Sequence, residues 1–481
     1  MSFFWKYLVK ICKLGLYFLV SALIIVVVGG ILYLNNQPDL DVWHKIKFES
    51  IFTADSGVTN FEQYMALEDK LFRELDNKIV KHISPNEKQS ISRFRPGSMS
   101  DPNLISPNWN RSFELKNADP KCGVLLLHGM SDSPYSLRNI GEALNKKGAY
   151  VVGLRLPGHG VAPSGLLSIT WQDMAAAVDI GMQYLQSVAK GKPLYIVGYS
   201  NGGALGVNYA FDTLKEPSLP KLSGLVLISP AMGVTPFAVM AKWQAALGEL
   251  MGLEKLAWSS VKPEYDPYKY SSFAVNAGAQ THALTMVLLE KRRARKADGT
   301  FKDFPPVLAF QSIVDTTVST RDLVHELFLH LPDNDHDLVL FDINRDAEGS
   351  QLLNSPSIEY LEVLRDEQLP FSLSIITNKR SNGEEVSLFR KYPDGRISET
   401  TDISMSWPFG IHSLSHISLP FPETDPVYGR LGDPNSPSIH LGRLEMRGES
   451  GVMRISPSDM LRLRSNPFYP YLEERIIEFI Q

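Results

Sequence analysis

The stretch Ile196-Val197-Gly198-Tyr199-Ser200-Asn201-Gly202-Gly203 decides the fold of this chain. It continues an apolar run too short for a helix and precedes a small-residue run with helical spacing, so it predicts a strand, a tight turn and a helix. Gly198 and Gly202 flank Ser200 in a Gly-x-Ser-x-Gly pattern, whose small residues allow a strained serine between strand and helix. Orphan N–H groups and the positive end of the helix dipole meet there. An oxyanion forming beside Ser200 would therefore meet donors already in place.

Apolar runs of strand length alternate with helical patterns on both sides of this stretch. They are continuously apolar, which is typical of strands covered on both faces. The alternation predicts an α/β fold with a doubly wound, mostly parallel sheet, and we assign residues 121–481 to this domain. The strands are expected at 123–127, 149–156, 194–199, 225–229, 307–310 and 338–341.

Two segments interrupt the alternation. Residues 231–304 contain a strongly apolar helical stretch and are too long for a simple connection, so we predict a lid insertion. Its apolar lining would suit an acyl chain. Residues 345–410 alternate with period two and contain the hairpin turn Pro393-Asp394-Gly395, which predicts a small antiparallel β-rich insertion.

Composition excludes several classes of protein. The net charge of −5 and the absence of a basic block argue against a nucleic-acid partner. The two cysteines, Cys12 and Cys122, form no cluster with histidine at zinc-site spacing. We therefore predict no metal and no cofactor, and the sequence leaves the oligomeric state open.

The N-terminus carries a candidate membrane anchor. Residues 14–34 are 21 residues without a charge, which as a helix would reach about 31 Å, close to the thickness of a bilayer's hydrocarbon core. Lysines precede this run and Asp39 and Asp41 follow it, so residues 1–13 are predicted to be cytoplasmic and the large domain to lie on the outer, periplasmic side. A cleaved signal peptide is the alternative, although no clear cleavage site follows. Residues 35–120 are predicted as a linker with a helical extension over 59–83.

A neutral serine needs a base within hydrogen-bond reach and a third group that orients the base. When the nucleophile lies on such a turn, the acid follows it in the chain and the histidine comes last. Asp315 lies just beyond the strand that resumes after the first insertion and is the predicted acid, with Asp342 in reserve. His416 is the predicted base rather than His412, because it lies nearer the closing segment.

The predicted oxyanion hole combines two backbone N–H groups. One belongs to Asn201, directly after the nucleophile, and the other to Met130, in the loop that follows the first buried strand. Gly129 permits the sharp exit of the chain into that loop. His159 also ends a strand at this edge, and we interpret it as a structural histidine.

Together these motifs resemble the α/β-hydrolase superfamily, in particular its carboxylesterases, monoacylglycerol lipases and serine aminopeptidase-like hydrolases. The resemblance implies the roles of nucleophile, acid and base for Ser200, Asp315 and His416, with Met130 and Asn201 as oxyanion donors. The gap of 101 residues between acid and base is longer than one strand and one helix need. The matching segments are LLLHGMSDSP (125–134), RLPGHG (155–160), GYSNGG (198–203), the Asp315 loop and SHISL (415–419).

The sequence therefore predicts a membrane-anchored serine hydrolase that cleaves carboxylic esters through an acyl-enzyme. A carboxylesterase or a lysophospholipase or monoacylglycerol lipase-like enzyme would act on a small ester or lipid-like substrate. Two alternatives stay open: a serine aminopeptidase-like peptidase, and a partner-binding protein on a hydrolase scaffold that no longer catalyses.

Overall fold

Twelve β-strands are present in the described part of the chain, and ten of them form one sheet. The computed structural model describes residues 2–83, 91–233, 253–346, 364, 368–379, 383–400, 403–444 and 456–481. The strands are β1 Phe113–Leu115, β2 Cys122–Leu127, β3 Ala149–Leu154, β4 Leu194–Tyr199, β5 Gly224–Ile228, β6 Trp258–Ser260, β7 Phe273–Ala274, β8 Val307–Ser312, β9 Asp337–Phe341, β10 Ser372–Asn378, β11 Val386–Lys391 and β12 Ile397–Thr400.

The large sheet has the strand order β1-β3-β2-β4-β5-β8-β9-β10-β11-β12. All pairs from β3 to β10 are parallel, whereas β1 at one edge and β11 and β12 at the other pair antiparallel. The strand before Ser200, β4, lies between β2 and β5 in the middle of the sheet. The predicted mostly parallel sheet is therefore confirmed.

Helices cover both faces of this sheet. Successive residues of a strand point to opposite faces, so strands that are apolar throughout need a helix layer on each side. In the described part of the chain, the helices of nine or more residues are α1 Ser2–Asn36, α2 Phe61–Lys78, α3 Arg138–Lys146, α4 Trp171–Val188, α5 Asn201–Thr213, α6 Val275–Ala297 and α7 Tyr469–Ile480. Leu125 and Leu127 of β2 pack on one face with residues of α4, α5 and α6, while Val124 and Leu126 pack on the other with residues of α3 and α7.

Capping side chains explain where two helices begin. The hydroxyl of Thr170 accepts a hydrogen bond from the Asp173 N–H at 3.1 Å, and the Asp173 carboxylate accepts one from the Thr170 N–H, a reciprocal capping box. Asn60 accepts from the Gln63 N–H at 2.9 Å and starts α2. Between β8 and β9 the chain forms an α turn at Thr320–Asp322, a π turn at Leu323–Leu327 and a 3₁₀ turn at Phe328–His330.

The predicted β-rich insertion differs from the structure in its connections. Strand β10 pairs in parallel with β9, and β11 and β12 follow as antiparallel neighbours, so these strands extend the main sheet rather than forming a sheet of their own. The predicted lid, 231–304, is described at 231–233 and 253–304. Its apolar stretch over 234–252 lies outside the described residues, and the lid stays a prediction.

The N-terminal region is more tightly packed than a linker. Trp43, His44 and Phe52 are buried, within the residues predicted to be linker, and Phe61 and Tyr64 of α2 join the main core. Glu68 of α2 forms a fully buried ion pair with Arg155, at 2.7 Å.

Helix α1 contains the predicted anchor. Within the residues described, no helix is both long enough and apolar enough to cross a membrane. This finding does not support the predicted transmembrane helix.

Candidate active site

The turn after β4 holds Ser200 in a strained backbone conformation. Its φ of 54° and ψ of −119° lie outside the ordinary regions for a residue with a side chain. The turn is fixed by hydrogen bonds from the Ser200 N–H to the Ile228 carbonyl, at 2.9 Å, and from the Ala231 N–H to the Ser200 carbonyl, at 3.0 Å. The sheet thus continues to the nucleophile candidate itself and fixes where the hydroxyl lies.

Glycines flank Ser200 because the chain has no room for larger residues there. A Cβ on Gly202 would lie 2.0 Å from the Leu127 carbonyl oxygen, and one on Gly198 would lie 2.5 Å from the Gly202 oxygen. Backbone atoms cannot move aside as a flexible side chain can. The Gly-x-Ser-x-Gly spacing therefore reflects the close packing of α5 against the ends of β2 and β4.

The structure brings Ser200, His416 and Asp315 together in one chain of hydrogen bonds. Nε2 of His416 lies 3.0 Å from the Ser200 Oγ, and Nδ1 of His416 lies 2.8 Å from Oδ2 of Asp315. The Asp315 carboxylate only accepts, so Nδ1 carries the proton and Nε2 is left as the acceptor for the serine hydroxyl. This is the tautomer that a general base needs.

Asp315 is held as a carboxylate. Burial would raise the pKa of this group, but the His416 imidazole and the backbone N–H groups of Val318 and Thr317 outweigh it and hold the pKa below its usual value. Both N–H groups donate to Oδ1, at 2.8 Å from Thr317 and 3.1 Å from Val318. The acid therefore keeps the negative charge that would stabilise an imidazolium during reaction.

The loop that carries His416 is tied to the sheet at several points. Oγ of Ser312, the last residue of β8, donates to the Leu414 carbonyl at 2.8 Å. Oγ of Ser415 donates to the Leu463 carbonyl. The Tyr199 hydroxyl donates to the His416 carbonyl at 3.3 Å. These bonds bring a residue from far along the chain to the end of β4.

The two reserve residues lie in other surroundings. Asp342 is fully buried, forms an ion pair with Arg345 at 2.8 Å and accepts a hydrogen bond from Thr377. His412 is exposed, and its carbonyl accepts from the Asn344 N–H. Neither is hydrogen-bonded to the Ser200–His416 pair in the described part of the chain, which favours the primary assignments.

The predicted oxyanion donors lie on either side of Ser200. Asn201 is the first residue of α5, and the first N–H groups of an α-helix have no acceptor within the helix. The loop with Met130 packs against the nucleophile, since a Cβ on Gly129 would lie 3.1 Å from the Ser200 Cβ. Their role in holding an oxyanion stays a prediction.

Two buried histidines at this edge of the sheet have a structural role. Nδ1 of His128 donates to the Gly129 carbonyl, and Nε2 accepts from the Leu156 N–H, at 3.0 Å. Nδ1 of His159 donates to the Pro157 carbonyl at 2.9 Å. Burial lowers the pKa of each to about 3, so both are neutral at ordinary pH. Among the residues described, no cluster of three or more His, Cys, Asp or Glu side chains could hold a metal ion.

Sequence reasoning missed one buried pair beside the site. Asp132 lies in the Met130 loop, and its Oδ2 is 2.9 Å from Nζ of Lys269, which comes from the 231–304 segment. The two residues are 137 positions apart, so no local pattern links them. The sequence around Lys269 is rich in Tyr and Pro and has no periodicity, so it does not indicate which residue Lys269 contacts.

A comparison with known protein families matches the central part of the chain. The family described as "Serine aminopeptidase, S33" matches residues 118–342, from just before β2 to just after β9. The match covers Ser200, Asp315 and the Met130 loop and ends before His416. Together with the sheet order, this match supports an α/β-hydrolase fold for the chain.

The curated relative is similar to only part of this chain. A curated thermostable monoacylglycerol lipase from Bacillus sp. (strain H-257) is 32% identical over 116 residues, which are 24% of this chain and 43% of that protein. The match thus spans less than half the length of the relative.

Solved structures of lipases are also similar. The monoacylglycerol lipase of Paleococcus ferrophilus has a TM-score of 0.37 and 21% identity, over 48% of this chain and 89% of its own. A soluble variant of monoglyceride lipase from Saccharomyces cerevisiae has a TM-score of 0.37 and 16% identity, over 48% of this chain and 82% of its own. At these TM-scores the likeness adds no weight to the assignment.

Proposed function

We propose that this chain is a serine hydrolase that cleaves carboxylic esters, with Ser200, His416 and Asp315 as its catalytic triad. The hydrogen-bonded chain from Ser200 through His416 to Asp315 carries the proposal, because it joins a weak nucleophile to a base of the right tautomer. Ester cleavage is preferred because the curated relative is a monoacylglycerol lipase. A small ester or a lipid-like ester is the proposed substrate.

The reaction would proceed in two halves. Nε2 of His416 takes the proton of the Ser200 hydroxyl while Oγ attacks the ester carbonyl, and the N–H groups of Asn201 and Met130 hold the resulting oxyanion. The tetrahedral intermediate collapses, the C–O bond to the alcohol breaks, and His416 gives its proton to that alcohol. Water then attacks the acyl-enzyme with His416 again as base, and the acid leaves.

The peptidase alternative rests on the description of the matching family as a serine aminopeptidase. Such an enzyme needs a carboxylate that is free to bind the substrate's amine. Asp132 and Asp315, the carboxylates tied to the oxyanion loop and to His416, already pair with Lys269 and His416. Rates with p-nitrophenyl esters and with aminoacyl p-nitroanilides separate the two activities, and faster cleavage of the anilides would favour the peptidase.

We also propose that α1 anchors the enzyme in a membrane, with the hydrolase domain on the outer, periplasmic side. The charge-free run at 14–34 supports this, and so do large apolar side chains of α1 that face water, with Leu14, Phe18 and Ile25 more than 70% exposed. A variant lacking residues 1–36 should leave the membrane fraction and keep its esterase activity. Recovery of the full-length protein in the soluble fraction would contradict the anchor.

A fluorophosphonate probe tests the catalytic proposal, because it reacts with activated serines. The wild-type protein should be labelled and Ser200→Ala should not, with esterase activity lost in parallel. Asp315→Asn should lower kcat by about 10³- to 10⁴-fold, since His416 then loses the partner that fixes its tautomer. Asp342→Asn, a matched change of a buried aspartate, should lower stability and leave kcat per folded molecule unchanged. A folded wild-type protein that is neither labelled nor active would instead support the non-catalytic alternative.

A further inference from the structure

The loop that carries Met130 is under backbone strain. Ser131 has a φ of 61°, in the left-handed region that residues with side chains rarely adopt. Such a conformation is energetically unfavourable and persists only where the surroundings hold it. Something must therefore fix this loop, whose backbone donor would have to lie within a few tenths of an ångström of its productive position.

Residues 269 and 270 of the 231–304 segment contact this strained loop at two points. Nζ of Lys269 pairs with Oδ2 of Asp132 at 2.9 Å. The Tyr270 N–H donates to the Ser131 carbonyl at 2.8 Å. Both contacts fall within two residues of Met130, on the C-terminal side of Met130 in the chain.

Lys269 itself is rigidly held. Its N–H donates to the Asp266 carboxylate at 3.0 Å, and Asp266 also accepts from the Tyr428 hydroxyl. The ammonium group lies 5.1 Å from the ring centroid of Phe421, 5.3 Å from that of Tyr199 and 5.8 Å from that of Tyr428. Aromatic faces attract a cation at these distances, so the ammonium group has a defined place, and one of these rings belongs to Tyr199, the residue that precedes Ser200.

Stability alone does not account for this pair. The side chains of Asp132 and Lys269 are 3% and 15% exposed, and burying two charges costs about as much as their attraction returns. A pair of apolar residues would serve the fold equally well. What the ion pair supplies is a directional contact that sets the position of Asp132, and through it the backbone of the Met130 loop.

We propose that Lys269 and Asp132 are positioning residues that hold the Met130 loop as an oxyanion hole. This inference rests on the proposed function, because an oxyanion forms only if Ser200 attacks a carbonyl. Residues 269 and 270 of the 231–304 segment would then contribute to catalysis indirectly, by fixing the position of the loop that carries the Met130 N–H.

The test compares two lysines that each pair with an aspartate. Lys269→Met keeps the length of the side chain and removes its charge. Lys291→Met is the matched control, since Lys291 of α6 pairs with Asp212 at 2.5 Å, and Asp212 lies at the opposite end of α5 from Ser200. Steady-state kinetics with p-nitrophenyl butyrate, normalised to folded protein, give kcat and KM for each variant.

The expected result is a split between kcat and KM. Lys269→Met should lower kcat by about ten- to a hundredfold, with KM changed by less than about threefold, because a misplaced donor is felt mainly in the transition state. Lys291→Met should change kcat by less than about twofold. Equal kcat values for the two variants would overturn the proposal.

Two further measurements keep the outcome clear. If Lys269→Met does not fold, Asp132→Asn replaces it, and a kcat within about twofold of wild type would overturn the proposal in the same way. The wild-type protein and Ser200→Ala are measured beside them. An inactive wild type would overturn both the proposed function and this inference. An active wild type with an unaffected Lys269→Met variant would overturn only the positioning role of Lys269 and Asp132.

Discussion

At the scale of single residues, charge is controlled mainly by burial at this edge of the sheet. His128 and His159 lie next to each other, with ring centroids 5.0 Å apart, and both side chains are fully buried. Both stay neutral because burial lowers the pKa of each to about 3. Asp315, also buried, is kept charged by the donors around it. Burial therefore gives neutral histidines in the scaffold, whereas the donors around the buried side chain of Asp315 overcome the effect of burial and keep this acid ionised.

The buried histidines predict a loss of stability in acid. In the unfolded chain a histidine has a pKa of about 6.5, so as the pH falls from about 6.5 towards about 3 the unfolded state takes up protons that the folded state refuses. Each such histidine lowers the free energy of unfolding by at most about 1.4 kcal/mol per pH unit in this range. His159→Gln removes one of them, so its stability should fall less between pH 7 and pH 5 than that of the wild type.

Urea unfolding at the two pH values measures this difference. His412→Gln is the control, because His412 is exposed to water in the folded state as well and should leave the loss unchanged. An equal fall in stability for His159→Gln and the wild type would show that His159 does not carry this acid sensitivity.

At the scale of elements, the turn between β4 and α5 has no room for an added methyl group. A methyl group on Gly202 would meet the carbonyl oxygens of Leu127 and His128 at 2.0 and 2.6 Å. Gly206, one turn further along α5, faces side-chain atoms of Leu225 and Ile196 at 3.0 and 3.1 Å. Side chains can shift by a few tenths of an ångström, whereas the backbone of a central strand cannot.

Two alanine substitutions in α5 should therefore differ sharply. Gly202→Ala should lower the free energy of unfolding by about 3 kcal/mol or more and abolish labelling of Ser200. Gly206→Ala should change it by less than about 1 kcal/mol, because the gain in helix propensity offsets the tighter packing. Chemical denaturation and probe labelling of both variants give the answer, and similar stabilities would contradict this account of the turn.

The sequence predicts individual strands of the sheet better than it predicts which strands pair. Strands β2, β4, β5, β8 and β9 were predicted because continuous apolar runs are what burial on both faces requires. The pairing of β9 with β10 was not predicted, because the sequence of one strand does not show which other strand it pairs with. Ser200, Asp315 and His416 could be chosen because each follows a recognisable strand or motif in a known order along the chain. The Lys269–Asp132 pair could not, because it joins two segments 137 positions apart with no shared pattern.

At the scale of the whole molecule, buried polar contacts join the N-terminal extension to the α/β domain. Glu68 of α2 reaches into that domain and pairs with Arg155, just beyond β3, with both side chains at most 2% exposed. Its carboxylate also accepts from the N–H and hydroxyl of Ser112. The Tyr64 hydroxyl donates to the Arg155 carbonyl at 2.6 Å. The extension therefore completes the surroundings of the RLPGHG segment rather than lying loosely over it.

This coupling predicts that neighbouring acidic residues of α2 contribute very unequally. Glu68→Gln leaves the buried Arg155 without its anionic partner and should lower the free energy of unfolding by about 3–5 kcal/mol. Asp69→Asn is the matched control, since Asp69 pairs with Arg111 at 2.7 Å on the surface, with both side chains at least a third exposed. A surface pair contributes about 1 kcal/mol at most. Urea titrations at one pH compare the unfolding midpoints of the Glu68→Gln and Asp69→Asn variants. Equal midpoints would show that α2 does not stabilise the α/β domain through the Glu68–Arg155 ion pair.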